Sequence, residues 1–209
     1  PGGTPSPPNF LSCVHFQNAN ASRVRAEGIY AAATFRAPGT MDGQVLEARL
    51  LQWNDAVTGI ADATFNSTAL LMTGEYFYEE DLANEVVYIP FQESVVLEDD
   101  QRYLFCVFTP SDSVFIGHDT YLDYDENQLA DDQPVTVISD NGTWYAGGFG
   151  SDVTSSIAVK LGSATVGIND RNTVDVTPYP NPTANVLRIP LTGMSGAATL
   201  QVFDLSGAL

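Results

Sequence analysis

Apolar and polar positions alternate along short stretches of this chain, and long helical spacing is nearly absent. Residues 11–16 (LSCVHF), 28–35 (GIYAAATF), 44–53 (QVLEARLLQW), 70–78 (LLMTGEYFY), 85–91 (EVVYIPF), 94–97, 102–108, 114–117, 135–139, 144–146 and 156–161 all read as strands. In the third of these, Val45, Glu47, Arg49 and Leu51 fall on one face and Leu46, Ala48, Leu50 and Gln52 on the other, the period of two that a pleated strand imposes. Residues 22–33 and 46–53 also fit a helical pattern. Turn residues punctuate the series, clearly at Ala37-Pro38-Gly39, and a long polar connection occupies 54–66. Many short β-branched and aromatic segments between Gly, Pro, Asn and Asp predict an all-β chain folded as an antiparallel β-sandwich or barrel.

The pattern changes after residue 162. Residues 163–177 are small and polar and read as a linker. Strand-like alternation returns in 178–209, entered through Pro178, Pro180 and Pro182. Each of these fixes its own φ and holds the residue before it extended. The predicted organisation is a large β domain over 1–162, a linker over 163–177 and a small β tail over 178–209. The chain begins at Pro1 without a leader pattern and ends within a strand–turn unit, so it reads as an internal or processed fragment.

Composition narrows the partners. The 209 residues carry 26 acidic and 8 basic side chains, a net charge of −18. A surface so negative does not displace counterions from nucleic acid, and anionic lipid repels it. No apolar run is long enough for a transmembrane helix.

The tail carries a specific set of residues: Tyr179-Pro180-Asn181-Pro182-Thr183, then Leu187 and Ile189 at alternate positions, then Val202-Phe203-Asp204 and Gly207. It resembles the C-terminal sorting domain of type IX secretion cargo of the Bacteroidetes, in which a YPNPT run and two strands ending in D-x-x-G recur. The resemblance covers 178–209, and the family's later strands and basic end are not in this sequence. It implies a partial β-sandwich sorting domain, the type IX secretion machinery as partner, and an extracellular or cell-surface location. Residues 95–103 (VVLEDDQRY) resemble, at the level of fold, the jelly-roll modules common in such cargo. The large domain is therefore expected to be a jelly-roll-like sandwich.

Candidate chemistry is sparse. Cys13 and Cys106 each lie in an apolar strand, and two readings stand: a disulfide between an early and a late strand, or two thiols packed as small hydrophobes. Asp123, Asp125 and Asn127 have the alternate spacing of a calcium loop, with Asp131 at the ninth position. Gln128 and Pro134 stand where an EF-hand has Gly and Glu, which leaves a different calcium site or a solvated acidic loop. Tyr121, Tyr124 and Trp144 lie in or beside loops, where an aromatic ring can stack on a sugar. Asp112-Ser113-Val114 resembles the short Bacteroidetes O-glycosylation motif, with Ser113 as acceptor. His15 sits in an apolar strand and reads as packed. Neither it nor His118 belongs to a nucleophile motif, and the acidic runs 79–81 and 98–100 do not specify a glycosidase pair. No enzyme activity is expected. The leading expectation is a non-catalytic secreted or surface protein with a structural, adhesive or self-assembling role, meeting surface subunits of its own or another kind. The alternative is a carbohydrate-binding module, calcium-stabilised or not, with polysaccharide as partner.

Overall fold

The alternating segments form strands, and every described pairing between them is antiparallel. The computed structural model describes residues 9–57, 60–120, 129–130, 133–150 and 153–164. These belong to the first of two units into which the chain divides, Pro1–Val166 and Gly167–Leu209. The strands are β1 (Phe10–Phe16), β2 (Val24–Phe35), β3 (Val45–Trp53), β4 (Thr68–Phe77), β5 (Val86–Val96), β6 (Arg102–Thr109) and β7 (Val114–Ile116). They continue with β8 (His118–Asp119), β9 (Leu129–Ala130), β10 (Gln133–Pro134), β11 (Thr136–Asp140), β12 (Thr143–Ala146), β13 (Thr154–Ser155) and β14 (Ile157–Ser163). The fold is an all-β antiparallel sandwich. Among the described residues the helices are single 3₁₀ turns, and none is long and apolar enough to cross a membrane.

One sheet has six strands in the order β12-β11-β1-β6-β3-β4. The other runs β14-β2-β5, with β7 paired to the end of β2. Two short ribbons, β8–β13 and β9–β10, complete the set. The inward faces of the sheets close on one core, in which Ile29, Leu46, Leu50, Ile89, Tyr103, Phe105 and Val107 are fully or almost fully buried. Gly74 on β4 has no room for a side chain, because the Pro90 carbonyl of β5 occupies the place of a Cβ. The two sheets therefore touch backbone to backbone at this corner. Asn141 (φ 50°) and Gly142 (φ 81°) turn β11 into β12, the left-handed pair that a two-residue hairpin demands.

The structure resolves the ambiguous segments and redraws two boundaries. Residues 46–53 are strand, because Leu46, Ala48 and Leu50 enter the core while Glu47 and Arg49 stay out, paired to each other at 2.6 Å. In the segment 22–33 only the turn Ala21–Arg23 is helical, and β2 takes the rest. The segments 85–91 and 94–97 are one strand, β5, whose ladder with β2 breaks between Gly28↔Pro90 and Ala26↔Val95. Pro90 is tolerated there because β5 is an edge strand and needs no donor on its outer side. At the far end, β14 runs on to Ser163↔Val24, into the first residue of the predicted linker. A backbone ladder beside β2 needs no apolar side chain to continue.

Tyr78 is fully buried in the core, and its hydroxyl has no hydrogen-bond partner among the described residues. Burial first, and the neighbouring Tyr76 second, push its pKa up to about 12. An unmet buried hydroxyl costs roughly 1–3 kcal/mol. Tyr78→Phe is therefore expected to raise stability by about 1 kcal/mol in chemical denaturation, with the slope unchanged.

Candidate functional site

The six-stranded sheet carries a second apolar cluster on its outer face, away from the sandwich core. Leu11 and Cys13 of β1, Leu51 and Trp53 of β3, Leu104 and Cys106 of β6 and Val137 of β11 build it. These positions share a face because Cys13 pairs with Cys106 and Val137, and Leu51 with Leu104. Cys13 and Cys106 are joined by a disulfide, with Cα atoms 4.0 Å apart and both residues fully buried. Val57, Ala63 and Phe65 of the polar connection 54–66 pack onto this face. The Phe65 ring lies between Trp53 (4.7 Å, 6°) and Trp144 (4.8 Å, 10°), a three-ring stack.

Hydrogen bonds hold that connection down. Trp53 Nε1 donates to the Thr64 carbonyl at 2.7 Å. The Asp55 carboxylate accepts from the Thr64 hydroxyl (2.8 Å) and from the N–H groups of Asn66 (3.2 Å) and Ser67 (2.7 Å). Burial would raise the Asp55 carboxyl, but the Ser67, Thr64 and Asn66 donors outweigh it and hold it below the usual value. The Arg102 guanidinium lies 5.2 Å above the Trp53 ring, and His15 meets that ring edge-on at 5.9 Å. Burial first and Arg102 second lower the His15 pKa to about 4. His15 is thus packed against an aromatic, as its place in an apolar strand predicts.

A groove of about 330 Å³ opens on the same face, bordered by Arg49, Leu51, Thr68, Ser139 and Trp144. Arg49 is fixed from two sides, by Glu47 at 2.6 Å and by the Phe108 ring 3.8 Å below its guanidinium. Trp144 stands on β12 rather than in a loop, with one ring face taken by Phe65. Of the three aromatic residues predicted to meet sugar, it is the one the described residues contain. Tyr121 and Tyr124 lie outside them. So do the calcium candidates Asp123, Asp125, Asn127 and Asp131, and the sorting-motif residues Tyr179, Pro180, Asn181, Pro182, Thr183, Leu187, Ile189, Val202, Phe203, Asp204 and Gly207. Among the described residues no three His, Cys, Asp or Glu side chains converge on a metal position.

His118 occupies a different place. Its Nδ1 lies 3.0 Å from the Ile116 carbonyl, which can only accept, so Nδ1 carries the proton and Nε2 is left to accept. The Ser12 hydroxyl lies 3.2 Å from Nε2 and 2.6 Å from the Ser155 hydroxyl, which also donates to the Cys13 carbonyl at 3.4 Å. Burial lowers the His118 pKa, opposed by the Ile116 carbonyl. A serine, a neutral imidazole and a carbonyl that orients it are the parts of a nucleophile–base pair. Here the serine is 0% exposed, beyond the reach of any substrate. The arrangement instead satisfies buried hydroxyls and ties the β8–β13 ribbon to the inner face of β1. Sequence motifs do not reveal it, because Ser12 and His118 are 106 positions apart.

Near that ribbon, Phe10, Val114, Phe115 and Phe149 line a groove of about 360 Å³. Phe115 and Phe149 are 48% and 56% exposed. Ser113 lies in the turn before β7, half-buried, its hydroxyl donating to Asp112 at 2.9 Å. Comparison with protein-family models and with curated proteins finds no match to the chain.

Proposed function

We propose that this chain is a non-catalytic β-sandwich module of an exported surface protein, addressed by its tail to type IX secretion machinery and serving a structural or adhesive role. The observation that carries the reading is the Cys13–Cys106 disulfide, sunk in the outer-face cluster. Such bonds persist in oxidising compartments and are rare in the cytosol. The tail motif supplies the route out, and a net charge of −18 with a single lysine, Lys160, fits an exterior that meets neither nucleic acid nor anionic lipid. The adhesive role rests on exposed apolar side chains, with Phe115 and Phe149 bordering one groove and Leu70 exposed on the edge strand β4. Solvent-facing aromatic groups of this kind mark interaction sites.

The test is cell fractionation of a Bacteroidetes host producing the full protein, with and without working type IX machinery. The protein is expected on the surface or in the medium of the first strain and in the periplasm of the second. Both cysteines are expected to resist alkylation until reduced. Cytosolic protein with two reactive thiols would overturn the reading.

A further inference from the structure

The geometry points to a neutral saccharide as the ligand of the outer-face groove, held between the Trp144 indole and the polar groups of Arg49 and Thr68. This deepens the surface-adhesion reading by giving the module a ligand class, and it is tested independently of export.

Three properties of the groove select that class. Its lining mixes aliphatic and aromatic walls with side chains that hydrogen-bond: Leu51 and Trp144 beside Asn9, Arg49, Thr68 and Ser139. A sugar ring needs this mixture, since its C–H face is apolar and its rim is hydroxyl. A purely hydrophobic ligand would leave the polar groups unmet, at a cost in affinity.

The lining is also fixed before any ligand arrives. Trp144 is backed by Phe65, and Phe65 by Trp53, whose indole N–H is anchored on Thr64. Arg49 is pinned by Glu47 and Phe108. Groups already held in one rotamer lose little entropy on binding, so weak stacking and hydrogen bonds suffice.

Charge decides against the competing ligands. Glu47 neutralises Arg49, and the chain as a whole carries −18, so an anionic ligand meets a repulsive field. The guanidinium has five N–H donors and engages the Glu47 carboxylate through Nε. Its remaining donors suit hydroxyl oxygens. At about 330 Å³ the groove is near the small end of ligand pockets, which suits one or two sugar rings rather than a long polymer segment.

The experiment uses the full chain and four neutral probes: cellotriose, maltotriose, xylotriose and N,N′,N″-triacetylchitotriose. The protein has two tryptophans, and Trp53 is fully buried, so a ligand-dependent change in indole fluorescence reports Trp144. At least one probe is expected to give a saturable fluorescence change and a matching calorimetric isotherm. Trp144→Phe, which keeps a ring against Phe65, is expected to abolish the fluorescence change. Trp144→Ala is expected to weaken binding about tenfold, the loss of one good ring contact. Because Trp144→Ala also removes part of the stack, a second variant, Asn9→Ala/Thr68→Ala, tests the polar side at the surface. It is expected to weaken binding with an unchanged melting temperature. The proposal is overturned if none of the four probes binds, if both alanine variants bind as the wild type does, or if trigalacturonate binds more tightly than every neutral probe. Normal export with no saccharide binding would remove this proposal and leave the surface reading intact. Saccharide binding by a protein retained in the cytosol would do the reverse.

Discussion

Replacing Cys13 and Cys106 together by alanine is expected to lower the stability of the β domain by about 4–5 kcal/mol. The two residues are 93 positions apart, and a cross-link closing a loop of that length removes roughly this much chain entropy from the unfolded state. For a domain of this size the change corresponds to a fall in melting temperature of about 10 °C or more. The loss has a definite location. Among the described residues β11 pairs only with β1 and β12, so there β11 and β12 reach the rest of the six-stranded sheet through β1 alone. The bond fastens β1 to β6 at the middle of their ladder, Cys13↔Cys106. Without it, β1, β11 and β12 depend on hydrogen bonds and packing to stay on the sheet. Amide hydrogen exchange over residues 10–16, 136–140 and 143–146 is therefore expected to rise as one unit in the double variant, while β3 and β4 stay protected. A melting temperature within 2 °C of the wild type, roughly the effect of 1 kcal/mol or less, would mean that the staple contributes little. Exchange spread evenly over both sheets would mean that it acts globally rather than on three strands.

Much of this sheet was legible from local sequence. The alternation in 44–53 assigns Leu46, Ala48 and Leu50 to one face and Glu47 and Arg49 to the other, and the structure keeps that division. It does so because a half-buried strand cannot slip by one residue without exposing its whole apolar set. The outer-face cluster was not legible. Residues 54–66 contain one large aromatic side chain at their end, Phe65, among Asn, Asp, Thr and Gly, and composition alone reads such a stretch as solvated loop. Its packing follows from register: Trp53 and Trp144 face the same way only because four other strand pairings lie between them. The disulfide stood as one of two readings for the same reason, since a sequence gives no Cα separation. Within the groove, Trp144 was visible as an aromatic beside a turn. Arg49 was not, because an outward arginine on an alternating strand looks like any solvated charge until Phe108 and Glu47 are seen to hold it.

The same cluster is expected to make the domain begin to lose stability near pH 6.5, before most carboxylates protonate. Burial first and Arg102 second hold the His15 pKa down at about 4 in the folded protein, against 6.5 for an ordinary imidazole. Above pH 6.5 the imidazole is neutral in both states and stability is unaffected. As pH falls from 6.5 to 4 the unfolded chain takes up a proton that the folded protein refuses, so stability is lost across that window and not below it. The full difference amounts to about 3 kcal/mol. The cause is structural: an imidazolium at this position would be partly buried, edge-on to Trp53 and close to the Arg102 guanidinium on the same ring. His118 is lowered in the same direction by burial and adds to the trend, whereas Asp55 is held below the usual carboxylate value by its hydrogen-bond donors and acts only in stronger acid. His15→Leu separates these contributions. It keeps an apolar side chain against Trp53 and removes a ring nitrogen, Nε2, that is buried without a partner among the described residues. Urea denaturation at pH 7.5 and at pH 4.5 is expected to show wild-type stability falling by about 2–3 kcal/mol more than that of His15→Leu. Identical pH dependence in the two proteins would assign the acid sensitivity to His118 or to the carboxylates. An NMR titration of the His15 ring with a midpoint near 6.5 would show that the cluster leaves the imidazole free to charge.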